Sequence, residues 1–143
     1  MNITRFLNNI YFNSRVKEIE QYAGHAGEIQ QRVLMRLVGK AARTEWGRKY
    51  DFSTIRTYED FKNRLPIQTY EEIKPYVARL RAGEQSLLWP SEIRWFAKSS
   101  GTTNDKSKFL PVSKEALEDI HYRGGKDAAA LYFRINPDSH FFS

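Results

Sequence analysis

An α/β chain, helical over its first two thirds and then entering a sheet, is the fold that the order of hydrophobic patterns predicts. Three observations carry this reading. From Glu28 to Trp46, apolar residues recur at three- and four-residue steps. Two short segments then open with the same threonine-led start. Beyond Ile93 come two brief aromatic and branched runs, separated by a loop of small hydroxylated residues and followed by renewed helical spacing. Residues 1–90 therefore read as mostly helical, and 91–143 as strand, loop, strand and helix, within one domain.

Taken in order, Ile29, Val33, Leu34, Leu37, Val38, Ala41 and Ala42 fall on one stripe of the first helix. Arg32, Arg36, Lys40 and Arg43 form a basic ridge beside it, read as a solvated face with snorkelling stems. Thr57-Tyr58-Glu59-Asp60 and Thr69-Tyr70-Glu71-Glu72 each place a threonine cap three positions before an acid, which starts a helix. Pro75 removes a ladder bond from the second of these and can kink it; Gly83 ends it. Ile93–Ala97 and Phe109–Val112 read as strands. Ser113 caps a helix whose stripe is Leu117, Ile120, Gly124, Ala128, Leu131, Tyr132 and Ile135, stopped at Asn136-Pro137-Asp138. Two mid-helix glycines, Gly124 and Gly125, cost roughly 1 kcal/mol each relative to alanine, and packing is the expected reason. Two strands alone are marginal. Either they pack on the helices or they begin a sheet that continues past Ser143, and the apolar ending Phe141-Phe142 favours a chain truncated there.

The totals exclude several classes. The 143 residues carry no cysteine, which removes disulfides, thiolate nucleophiles and cysteine-based zinc sites and fits a cytoplasmic protein. His25, His121 and His140 are too scattered for ligand spacing, so no cluster announces a metal site, while a metal held by aspartates and a nucleotide stays open. No apolar run is long enough for a signal peptide or a membrane span. Twenty-three basic against 17 acidic residues give +6, which favours anionic partners without choosing among them. Trp46, Trp89 and Trp95 beside basic residues could suggest base stacking, but no nucleic-acid motif accompanies them and core packing is the reading; a basic module binding nucleic acid or an acidic surface is the alternative. Oligomeric state is open.

The segment Lys98 to Pro111, KSSGTTNDKSKFLP, concentrates the chemistry. Ser99, Ser100, Thr102 and Thr103 offer short hydroxyls, Gly101 lets the backbone turn and expose its amides, and Lys98, Lys106 and Lys108 bring mobile positive charge. That combination suits a phosphate. A Walker loop needs a second glycine before its Lys-Ser pair, where Asp105 stands before Lys106-Ser107, and no GxGxxG fingerprint is present.

Ser-Ser-Gly-Thr-Thr, a lysine and Phe-Leu-Pro together resemble the phosphate-binding signature of adenylate-forming enzymes. Lys108 follows Thr103 by five positions; with Trp95-Phe96-Ala97-Lys98 before the loop and Phe109-Leu110-Pro111 after it, the segment is similar to the Gretchen Hagen (auxin-responsive promoter) family of acyl-acid amido synthetases. Arg43-Thr44-Glu45-Trp46-Gly47, Leu65-Pro66 and Thr69 to Tyr76 extend the likeness upstream. Asn104-Asp105 departs from the glycine often found there, and an aspartate near phosphates must face solvent or help hold Mg²⁺.

The resemblance implies the N-terminal part of an incomplete adenylate-forming domain. The expected enzyme uses ATP and Mg²⁺ to adenylate a small carboxylic acid and passes the acyl group to an amine or amino acid. It implies Ser99, Ser100, Thr102 and Thr103 as phosphate hydroxyls, Gly101 as the turn, Lys108 as the catalytic charge and Lys106 as a weaker cation. The 143 residues alone are expected to be inactive.

Overall fold

A computed structural model describes residues 3–100, 107–137 and 139, with side chains from Ile10 onward. The first element is a helical run, α1, Ile3–Ala41, broken at His25, whose φ of −130° and ψ of 22° leave helical geometry between Gly24 and Gly27. It starts well before the expected Glu28. Between Ile10 and Gln30 only Arg15 and Val16 are buried, so no apolar stripe marks that half in the sequence. It also ends before Trp46, because the Thr44 amide and hydroxyl both donate to the Ala41 carbonyl, at 3.0 and 2.7 Å. Thr44, wholly buried, then caps α2, Glu45–Lys49, by accepting the Gly47 N–H at 2.9 Å.

By contact the chain divides into two units, Gln30–Lys114 on one hand and Met1–Ile29 with Glu115–Ser143 on the other. The core of the 30–114 unit gathers Val38, Ala41, Trp46, Phe52 and Ile55. Trp46 packs edge-on against Tyr76 at 5.1 Å and against Tyr50 at 4.8 Å. The expected stripe of α1 is correct at Val38 and Ala41 but not at Val33 and Leu37, which are exposed. After a 3-10 turn at Phe52–Thr54 come α3, Tyr58–Arg64, and α4, Tyr70–Arg81. Both threonine starts are helix caps: Asp60 accepts the Thr57 N–H at 2.9 Å, and Glu72 accepts the Thr69 N–H at 2.6 Å and its hydroxyl at 2.8 Å. Pro75 lies inside α4 without ending it. Gly83, at φ +99°, carries the left-handed turn that does.

A smaller cluster of Leu80, Leu87 and Ile93 leads to the sheet. Arg79 makes a bidentate pair with Glu45 (2.7 and 2.8 Å) and a second pair with Glu84, fastening α4 to α2. The Gln85 amide brackets the Ile93 backbone at 2.8 and 3.2 Å, so the strand expected from Ile93 begins two residues later. Strands β1, Trp95–Lys98, and β2, Phe109–Val112, pair antiparallel with Lys98 opposite Phe109 and Trp95 opposite Val112. They form the whole sheet among the described residues.

From the last residue of the 30–114 unit, the short α5, Lys114–Ala116, runs through a wide π-helical stretch at Leu117–Tyr122 into α6, Arg123–Ile135, of the other unit. Its buried residues are Ala130 and Phe133. The expected stripe is therefore on the wrong face, since Ile120, Leu131, Tyr132 and Ile135 are exposed. Two contacts choose the face. Phe133 stacks on Phe12 at 5.6 Å, and Asp127 holds the buried Arg15 guanidinium at 2.7 and 2.8 Å. An ion this buried must be paired. Arg15 also binds Glu18, which accepts from Arg123 at 3.0 Å. Nothing lies within 4 Å of a Cβ built on Gly124 or Gly125, so among the described residues packing is not their reason.

Candidate functional site

The hairpin between β1 and β2 brings Ser99 and Lys108 together from nine residues apart. The Ser99 N–H donates to the Lys108 carbonyl at 2.9 Å, and the Lys108 N–H donates to the Ser99 hydroxyl oxygen at 3.0 Å. This pair forms a closed neck below the candidate loop. Accepting that bond leaves the Ser99 hydroxyl proton available to donate. Ser100 is exposed next to the neck. Gly101, Thr102, Thr103 and Lys106 lie outside the described residues, as does Asp105.

Below the neck, α4 grips β2. Tyr70 is the first residue of that helix, set in place by the Thr69–Glu72 cap. Its hydroxyl accepts the Phe109 N–H at 3.1 Å and lies 3.4 Å from the Phe109 carbonyl, the acceptor for its own proton. The Lys108 ammonium sits over the Tyr70 ring, 5.6 Å from its centre. At the other end of α4, the Arg81 guanidinium lies 3.9 Å above the Phe109 ring. The Thr69 amide holds the Glu72 carboxyl below the usual range, so this cap is anionic at neutral pH.

Sequence reasoning missed Tyr70 and Arg81. Tyr70 stands 39 residues from the strand it holds, and no local periodicity reports such a contact. Its one trace was its place in the segment Thr69 to Tyr76. Among the described residues no group of three histidines or carboxylates is arranged to hold a metal, and no helix is long and apolar enough to cross a membrane. Trp46 is core, as expected, whereas Trp95 is half exposed. In the other unit, Arg15, Glu18, Glu118, Tyr122, Arg123 and Lys126 line an open groove. Arg15, Glu18 and Arg123 are engaged there with one another or with Asp127.

Known proteins resemble this chain in sequence and fold. Residues 15–140 match the family described as the GH3 family N-terminal domain. The indole-3-acetic acid-amido synthetase GH3.5 of Arabidopsis thaliana is 32% identical over 105 residues, which is 73% of this chain and 17% of that protein. The jasmonoyl-L-amino acid synthetase JAR4 of Nicotiana attenuata is 32% identical over 104 residues, 72% of this chain and 18% of its own length. Among solved structures, AtGH3.15 acyl acid amido synthetase in complex with 2,4-DB superposes with a TM-score of 0.75 at 28% identity, covering 83% of this chain and 21% of that one. The chain thus spans under a fifth of the length of these curated relatives. A match over most of its residues, with the fold to accompany it, places the chain in the GH3 family.

Proposed function

We propose that this chain is the triphosphate-holding N-terminal part of an ATP-dependent acyl-acid amido synthetase, and that it works as part of a longer adenylate-forming domain. In the reaction, a carboxylate oxygen bonds to the α-phosphorus of ATP as pyrophosphate leaves. An amine nitrogen then bonds to the acyl carbon, and AMP and a proton depart. The observation that carries the reading is the neck, where Ser99 and Lys108 are locked together at the base of a loop rich in hydroxyls. Ser99, Ser100, Thr102 and Thr103 donate to phosphate oxygens, and Gly101 permits the turn that exposes backbone amides. Lys108 stabilises the charge that gathers on the departing pyrophosphate, with Lys106 in a supporting role.

The donor set fits a triphosphate: short hydroxyls and an ammonium are what its oxygens accept from. Mg²⁺ is taken to enter with the nucleotide, carried on its phosphate oxygens. Indole-3-acetic acid and 2,4-DB, named for relatives, are the natural trial acids, with amino acids as trial acceptors. The setting proposed for the protein is the cytoplasm.

Lys108→Ala in the complete protein is expected to lower acid-dependent exchange of labelled pyrophosphate into ATP by roughly a hundredfold, the scale for losing one preorganised charge-stabilising group. Exchange at the unmodified rate would remove the role assigned to Lys108.

A further inference from the structure

We infer that Tyr70 is a positioning residue for this hairpin, its hydroxyl holding the backbone next to Lys108 and its ring seating the Lys108 ammonium. The inference rests on the proposed triphosphate role of the loop.

The geometry begins with the edge of β2. Because Ser99 and Lys108 are a hydrogen-bonded pair, alternation along an antiparallel ladder turns the N–H and C=O of Phe109 away from β1. Pro111 turns outward in the same way and has no N–H to offer, as suits an edge strand. The Tyr70 hydroxyl, at once donor and acceptor, meets both outward groups of Phe109. It takes the place of a third strand at the residue where the loop returns to the sheet.

The ring completes the arrangement. An aromatic face attracts an ammonium without cancelling its charge, as a carboxylate would. Lys108 is a long side chain with many rotamers, and the Tyr70 face, 5.6 Å from its ammonium, narrows them. Arg81 presses on the Phe109 ring from the opposite end of the same helix, so both ends of α4 fix the residue after the lysine. A charge that stabilises a transition state has to be placed before the reaction, and a small displacement lowers its effect steeply.

The test is a double-mutant cycle in the complete protein, read as kcat/KM for ATP in acid-dependent pyrophosphate exchange. Tyr70→Phe keeps the ring and loses the hydroxyl; it is expected to lower kcat/KM about fivefold, and Tyr70→Leu, which loses both, about thirtyfold, within the range that misplacing a catalytic group produces. In a Lys108→Ala background, each Tyr70 substitution is expected to change the rate less than twofold, because the group it positions is gone. Tyr70→Phe is also expected to speed hydrogen exchange at the Phe109 amide.

Wild-type kcat/KM in both Tyr70 variants would overturn the inference, as would their full loss repeated on top of Lys108→Ala. Should Tyr70→Leu fail to fold, the Tyr70→Phe arm decides alone. Unimpaired exchange in Lys108→Ala would overturn the loop's proposed role and this inference with it, a result distinct from failure of the Tyr70 variants alone.

Discussion

Alanine at Gly47 would place its methyl carbon 2.1 Å from the Ala41 carbonyl oxygen and 2.9 Å from two backbone carbons. Those atoms belong to the tight turn between α1 and α2, and Thr44 has both its hydrogen bonds committed there. The backbone has no flexible end to yield. Gly47→Ala is therefore expected to destabilise the protein by about 3 kcal/mol or more, the scale of overpacking against fixed atoms. Gly39, inside α1 with nothing within 4 Å of the place a Cβ would occupy, is expected to respond oppositely: Gly39→Ala stabilises by about 0.5–1 kcal/mol. Urea midpoints at unchanged slope measure both, and a Gly47→Ala protein as stable as the parent would refute the close approach. In the sequence, Arg43-Thr44-Glu45-Trp46-Gly47 could be read only as a family word. The turn supplies its physical reason, which no spacing rule contains.

At the scale of elements, several carboxylates are tied to the places where helices begin or meet. Asp60 is held below its usual range chiefly by the Arg56 amide, which donates at 2.9 Å, and then by Thr57; Glu72 is held down by the Thr69 amide, Glu45 by Arg79 and Asp127 by Arg15. In each case the folded value lies below the unfolded one, so in that interval the unfolded chain binds more protons. The stabilisation is complete above the unfolded carboxyl values near pH 4, and it is lost as pH falls through the depressed folded values. Melting temperature is thus expected to stay level from pH 8 to about pH 6 and to fall below about pH 5, more gently in 1 M salt because most of these groups face solvent. A melting temperature that rises on acidification would contradict these assignments. The caps behind this behaviour were legible, as was β2 to the residue, because threonine–acid spacing and β-branched or aromatic runs are local signals. The amino-terminal half of α1 was not, since a helix that buries little carries no stripe. The face of α6 was misread because Arg15 and Phe12, far away in the chain, decide it.

For the whole molecule, membership of the family was readable from the words around the loop, yet the division into units was not. The pairing of Arg15 with Asp127 spans 112 residues, and no periodicity records it. Apolar exposure gives the largest scale its own prediction. Ile120 and Ile135 are 71% and 76% exposed, Leu131 and Tyr132 lie exposed with them on the same stretch, and Ile67 is 98% exposed in the other unit. Single apolar residues at a surface are ordinary, but a helix that shows several in succession is built to be covered. Relatives are more than five times the length matched here, and in the proposed domain additional chain is expected to cover these residues. The 143 residues produced alone are therefore expected to bind an apolar dye such as ANS strongly and to show no acid-dependent pyrophosphate exchange, whereas the same residues within a full-length protein bind little dye and turn over. Steady exchange by the 143 residues alone would show that acid, adenine and triphosphate are all held within them, and the proposal of a larger shared domain would fall.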